Sequence, residues 1–221
     1  MFEKHREKKA REAAEKAHAA QQAAVATWQA QRDGYAHFLD LVRGFHGEQT
    51  SELVLKPGEA LFGKIDGASL IEDRAGRGTW QGRSQGVSIP IASLGGRSIR
   101  YHVGASKGHY VAGTPVPTAI DSGTVFITNR RVVFRGQKQT RECDFAKLLS
   151  CHHEAGESIL SVSNRQKNTV IHYGPQLDDW FQTHYAIAFA DYQGTREQLA
   201  KEVEAEIASI DASRPELAAP T

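Results

Sequence analysis

Apolar positions along the first 45 residues recur at helical spacing. Trp28, Tyr35 and Val42 stand seven apart, and Phe38 and Phe45 repeat at the complementary spacing. That pattern puts all five on one stripe of a helix. The first half of the segment offers only alanines as its apolar stripe, set among Glu, Lys, Gln and Arg, with no glycine before Gly34. Residues 1–46 therefore read as one long N-terminal helical extension, ended by Gly44 and Gly47. The seam at Trp28, Tyr35, Phe38, Val42 and Phe45 needs something to bury against. The body of the same chain, a second copy and another protein all remain open at this point.

From residue 51 the pattern changes to short alternating runs punctuated by Gly and Pro. Strands are predicted at 60–65, 87–92, 97–103, 123–128, 131–136, 142–149, 158–163 and 169–173. Segment 180–190 alternates weakly, Tyr185, Ile187 and Phe189 against His184, Ala186 and Ala188, and is predicted as strand rather than helix. Thr195 with Gln198 fits a capping box, and Leu199, Val203, Ile207 and Ile210 follow at helical spacing, so a terminal helix packs by one face. The last residues, 213–221, are expected to be a disordered tail. Between extension and tail lies one mostly β domain, 51–212.

The clearest local signal is G-T-V-F-I-T-N-R-R-V-V-F-R-G at 123–136. Val125 and Ile127 point to one face and Phe126 to the other, while Val132 and Phe134 oppose Val133. Thr128, Asn129, Arg130 and Arg131 supply the reversal, with Asn129 a residue that tolerates positive φ. Apolar groups on both faces require a sheet covered on both sides, as in a small barrel or sandwich closed by a helix.

These residues resemble the signature of GRAM and bacterial PH-like domains, where a strand ends in Thr-Asn, a basic residue follows, and a second strand ends in an aromatic. Upstream, Leu55-Lys56-Pro57-Gly58-Glu59 is similar to the family's approach to its first strand. Downstream, Lys138 to Arg141 and then Phe145-Ala146-Lys147-Leu148-Leu149 resemble the third strand and its continuation. The resemblance implies an α+β fold, a PH/GRAM-like antiparallel β-barrel or sandwich capped by a C-terminal helix. It also implies a module that binds lipid or protein, not an enzyme. Segment 66–122, with its own predicted hairpin around Leu94-Gly95-Gly96, is then an elaboration of that fold.

Charge narrows the partner classes. Lys and Arg number 27 against 26 for Asp and Glu, a net charge of +1. Such a chain is no general electrostatic trap for nucleic acid or anionic membrane, so no specific nucleic acid is expected. The first residues carry charge from the third onward and lack an apolar signal core. Two cysteines and no disulfide framework point to the reducing cytoplasm, with peripheral membrane attachment the one variation.

Candidate chemistry is sparse. In the Gly-rich segment 74–86, Arg74, Arg77 and Arg83 are residue types that hold phosphate, and Trp80 is one that stacks or enters a membrane interface. The competing reading is a loop whose arginines are solvated. The glycines do not fit a dinucleotide fingerprint, and no Walker lysine follows. Arg131 and Arg135 share a hairpin face while Arg130 sits at the turn, so these cations do not form one patch. Cys143, Cys151, His152 and His153 lack the close paired spacing of a structural zinc site and read as free thiols and surface imidazoles. Asp178 and Asp179 read as solvated acids, and His102, His109, His172 and His184 are scattered. No metal and no cofactor is implied. The expected function is a non-catalytic interaction module that binds a protein partner or self-associates. The alternatives are a peripheral binder of anionic lipid through the Gly/Arg loop and an enzyme with a hydrolase-type site.

Overall fold

Alternation of apolar and polar residues from Leu61 onward builds an antiparallel sheet, and the helical stripe before it forms α1, Phe2–Gly44. The structure is a computed structural model that describes residues 2–72, 79–94, 97–111 and 118–215, with backbone only for 79–111 and for 2–4, 7 and 10. The strands are β1 Leu61–Glu72, β2 Thr79–Leu94, β3 Arg97–Val111, β4 Thr118–Thr128, β5 Arg131–Gly136, β6 Thr140–Asp144, β7 Leu148–Glu154, β8 Glu157–Val162 and β9 Thr169–His172. Two helices follow, α2 Asp178–Gln193 and α3 Arg196–Ala212. Seven strands form one sheet in the order β6-β5-β4-β1-β9-β8-β7, and β2 pairs with β3 as a separate ribbon. This ribbon lies within segment 66–122 and springs from the paired ends of β1 and β4 at Glu72 and Thr118. Its backbone comes close to all three helices.

The signature hairpin forms, with Gly123 opposite Gly136, Val125 opposite Phe134 and Ile127 opposite Val132. Val125, Ile127, Val132 and Phe134 enter the central core, whereas Phe126 and Val133 are buried outside it, on the other face. The sheet is open rather than a closed barrel. The predicted strand 142–149 breaks in two at a 3-10 turn, Phe145–Lys147. Asp144 caps that turn by accepting from the Ala146 amide at 3.0 Å, and Phe145 plunges inward onto Tyr185, Phe189 and Tyr192. The chain is thereby carried from one edge of the sheet, β6, to the other, β7, and the two do not pair.

Segment 180–190 is helix, not strand. It forms most of α2, where Phe181, Tyr185 and Phe189 recur every four residues and stack at centroid distances of 6.1 and 5.9 Å. The helix is buried around most of its circumference, Ala186, Ile187, Ala188 and Ala190 included, which erases the polar face that marks a helix in sequence. It lies directly on β1: a Cβ on Gly63 would come within 2.7 Å of the Trp180 ring. The helix that covers the sheet is therefore α2, and α3 packs Leu199, Val203 and Ile210 beside it and against α1.

The capping box expected at Thr195 does not form. The Gly194 backbone is left-handed at φ 69°, and Thr195 sends its amide to the Ala190 carbonyl at 2.9 Å while its hydroxyl turns inward. Gln198 bonds to Glu202 instead. The predicted tail beyond residue 215 lies outside the described residues. The Gly63 contact yields a first prediction: Gly63→Ala overpacks the β1–α2 interface and lowers stability by about 1–3 kcal/mol, read by urea denaturation. An unchanged midpoint would show that α2 has room to spare over β1.

Candidate functional site

Three groups of side chains deserve the name of candidate. The first grows from the turn at Pro57 and Gly58, where the left-handed Gly58 (φ 72°) lets the Glu59 amide reach the Lys56 carbonyl at 2.9 Å. Glu59 is thereby swung inside, with 2 % exposure. Its carboxylate accepts from Arg131 Nε at 2.8 Å and Nη2 at 3.1 Å, from the Thr128 hydroxyl at 2.6 Å and from the Lys56 amide at 2.6 Å. Thr128 Oγ1 in turn accepts from the amides of Arg130 and Arg131. Burial pushes the Glu59 carboxyl up, but Arg131, the Lys56 amide and Thr128 outweigh it and hold it below its ordinary value.

Asn129 is not in the left-handed region; among the described non-glycine residues only Ala155 has positive φ. Its side chain works instead, accepting from the Ala60 amide at 2.9 Å and donating to Asp191 at 3.0 Å. The turn residues of the signature are thus structural pins between the lead-in turn, the hairpin and α2. Arg131 and Arg135 do share a face, and both are engaged there: Arg131 also donates to the Val54 carbonyl at 2.8 Å, and Arg135 donates to the Glu52 carbonyl.

The second group is a hydrogen-bonded chain under α2. Cys151 and His153 point to the same face of β7, Sγ to Nε2 3.1 Å. His153 Nδ1 meets Ser158 Oγ at 2.7 Å, Ser158 Oγ meets Tyr173 Oη at 2.9 Å, and Tyr173 donates to Asp178 Oδ1 at 3.2 Å. Ser158 is the ladder partner of His153, and the Phe181 and Tyr185 rings close over the imidazole at 5.2 and 4.8 Å. Burial, aided by His152, pushes His153 down to about 3, and burial pushes the Cys151 thiol up to about 12. Burial raises the Tyr173 phenol as well. Thiol, imidazole and phenol are all neutral at neutral pH, whereas nucleophilic cysteine chemistry needs a thiolate. The reading of surface imidazoles holds for His152 and is corrected for His153, which the Phe181 and Tyr185 rings enclose. Ser158, Tyr173 and Asp178 carried no sequence signal of this role, because strand pairing and α2 bring them together. Among the described residues, no group of three His, Cys, Asp or Glu side chains is placed to hold a metal ion.

The third is the seam. Tyr35, Phe38 and Val42 are buried in the central core, with Trp28 and Phe45 packed at its margin. Trp28 Nε1 donates to the Ile210 carbonyl at 2.7 Å, and Phe45 meets Phe62 edge-on at 5.5 Å. Arg32 pairs with Asp211 at 2.7 Å, and Arg43 pairs with Glu204. This half of α1 is docked on its own chain. Of the proposed phosphate or lipid residues, Arg74 and Arg77 lie outside the described residues, and Trp80 and Arg83 stand in β2, described as backbone only. A shallow cleft of about 380 Å³ opens instead between Gly67, Ser122, Thr124, Arg135 and Gln137. Among the described residues no helix is long and apolar enough to cross a membrane. Comparison with known protein families, curated proteins and solved structures gives no match.

Two predictions follow from these geometries. Glu59→Leu leaves Arg131 buried without its main partner and costs about 3–5 kcal/mol of stability; the double variant Glu59→Leu/Arg131→Leu recovers much of that loss in urea denaturation. Additive losses would mean the pair is not coupled. The second concerns pH. His153 binds a proton near pH 6.5 when unfolded but only near 3 when folded, so stability is complete above 6.5 and falls as pH drops toward 3. The slope contributed by this one proton approaches about 1.4 kcal/mol per pH unit. His153→Gln flattens the stability profile between pH 6.5 and 5, and an unaltered slope would exclude a neutral buried imidazole.

Proposed function

We propose that this chain is a non-catalytic interaction module of PH/GRAM-like type, whose N-terminal helix engages a protein partner or a second copy. The observation that carries the reading is the contrast between the two halves of α1. From Trp28 onward the helix is fixed to the body, yet every described side chain from His5 to Ala20 is exposed. At 1.5 Å per residue, the helix before Trp28 extends about 40 Å. Between His5 and Ala20 the ion pair Lys8–Glu12 is wide at 3.9 Å and largely solvated, worth a few tenths of a kcal/mol at most. An exposed arm continuing from a docked helix half is suited to presenting a contact surface to a partner.

The PH/GRAM-like part of the reading is supported by the strand order, in which β1 is the strand with non-sequential neighbours, β4 on one side and β9 on the other, and by the helix that follows the last strand. It is supported too by the Glu59 pin, which makes the Pro-Gly-Glu and Thr-Asn-Arg stretches one structural unit. The neutral Cys151–His153 pair favours binding over nucleophilic catalysis. Two free thiols suit a reducing compartment, the cytoplasm.

Lysine cross-linking in cells, followed by peptide mass spectrometry, tests the reading. Intermolecular links are expected to concentrate at Lys8, Lys9 and Lys16 of the arm, well above Lys56, Lys138 and Lys147 of the body. Ala17→Pro breaks the exposed helix and is expected to abolish them while leaving the urea midpoint of the body unchanged. Links spread evenly over arm and body, or indifferent to Ala17→Pro, would sink the proposal.

A further inference from the structure

The outer face of the sheet carries an apolar pair that α2 does not cover. Phe126 and Val133 are opposite one another in the ladder, with Lys64 beside Phe126 and Glu142 beside Val133. Cross-strand partners share a face, so Lys64, Phe126, Val133 and Glu142 form one row across four strands. Both apolar residues are nonetheless buried, at 0 and 3 % exposure. What lies over them is segment 49–58, a strap that leaves the end of α1, crosses this face and turns into β1.

The strap is held in a regular way. Glu52 is bound through its carboxylate by Lys64 at 2.9 Å and through its carbonyl by Arg135, whose guanidinium lies 4.8 Å over the Phe126 ring. Two residues on, the Val54 carbonyl accepts from Arg131 at 2.8 Å. Two further, Lys56 reaches Glu142 at 3.0 Å and Asp144 at 3.2 Å. Positions 52, 54 and 56 alternate as in an extended peptide: an acid, a read carbonyl, a base. The Val54 side chain itself is 89 % exposed, so the face reads main chain and charge at this point, not an apolar side chain.

Between Glu48 and Lys56 the strap makes no main-chain to main-chain hydrogen bond among the described residues. Its ion pairs are partly exposed, with Lys64, Glu52 and Lys56 side chains at 31, 46 and 43 %. Such pairs are individually weak, so the strap can lift without disturbing the sheet ladder. Arg131 would stay in place when it lifts, because Glu59 and Thr128 anchor it independently.

We propose that this face is a peptide-docking surface, occupied in the resting chain by its own strap. Its partner is an extended peptide segment with an acidic residue four positions before a basic one, bound through main-chain carbonyls between them. The surface is separate from the helical arm. A tethered strap competes at an effective concentration of roughly millimolar, so a free peptide gains access when the strap is weakened.

The test uses the full chain and a fluorescein-labelled synthetic peptide of the strap sequence, Thr-Ser-Glu-Leu-Val-Leu-Lys-Pro. Glu52→Ala/Lys56→Ala removes the strap's charged side-chain holds, leaving the half-buried Leu53 and Leu55, and leaves the face intact. Fluorescence anisotropy is expected to show at least tenfold tighter peptide binding by this variant than by the wild type. Adding Arg135→Ala, or exchanging the Glu and Lys of the peptide, is expected to remove most of that gain. Equal binding by variant and wild type, or none at millimolar peptide, overturns the proposal. Hydrogen exchange on the unaltered chain gives an independent decision. Amides 52–55 should exchange at least a hundredfold faster than those of β4 and β5, and faster again in 1 M salt; protection equal to that of the two strands would make the strap a fixed part of the fold.

Discussion

The carboxylate of Glu59 is the constraint on which the rest of this fold depends. Buried without partners, it would cost far more than a small domain can tolerate. With Arg131, Thr128 and the Lys56 amide around it, the same group fixes two distant stretches at once. The lead-in turn needs Gly58 in a left-handed conformation so that Glu59 can enter. The hairpin turn needs Thr128, whose oxygen serves both the carboxylate and the turn amides. Arg131 then extends the node to Glu142 on β6 at 2.9 Å and to the strap at Val54. Two sequence stretches some seventy residues apart are thus halves of one object, which is a physical reason for them to occur together.

An open sheet must protect its faces and edges, and this one uses different devices at different places. The inner face receives α2, whose aromatic ladder runs the length of the contact. The outer face, where it carries Phe126 and Val133, receives a strap rather than a helix. At the β6 edge, Lys56 and Arg131 draw charged groups over Glu142 and Asp144. The inward Phe145 at the corner between β6 and β7 closes the end of the core without closing a barrel.

What was legible in the sequence was whatever one side of an element records. The hairpin could be read because its alternation survives on both faces, and the seam of α1 because Tyr35, Phe38 and Val42 stand out from a polar helix. Segment 180–190 could not, since burial around the whole helix leaves no polar stripe, and its alternate Tyr185, Ile187 and Phe189 mimic a strand. The break at Phe145 was hidden for a related reason: an aromatic in a short apolar run fits strand and corner equally well. Site chemistry was less legible still. Arg131 looked like one cation of a scattered set, and only the fold shows that Glu59 holds it. The chain from Cys151 to Asp178 depends on the pairing of His153 with Ser158 and on where α2 lands, neither of which spacing encodes.

The two halves of α1 obey different physics, and the docked half is bounded for a reason. Docking is fastened at both ends by polar contacts that also satisfy helix termini. Arg196 donates to the carbonyls of Val42 and Phe45 where α1 ends, and Trp28 donates to the Ile210 carbonyl where α3 ends. Because α3 runs antiparallel to α1 and stops at Ala212, nothing of it continues alongside the helix before Trp28. Over the exposed stretch from His5 to Ala20 the helix rests largely on intrinsic propensity, which leaves a segment of that length only marginally ordered by itself. A partner that ordered or bent this arm would therefore act on an element weakly coupled to the core, while the docked half held its direction. The body can keep a single rigid arrangement and still present an adaptable surface.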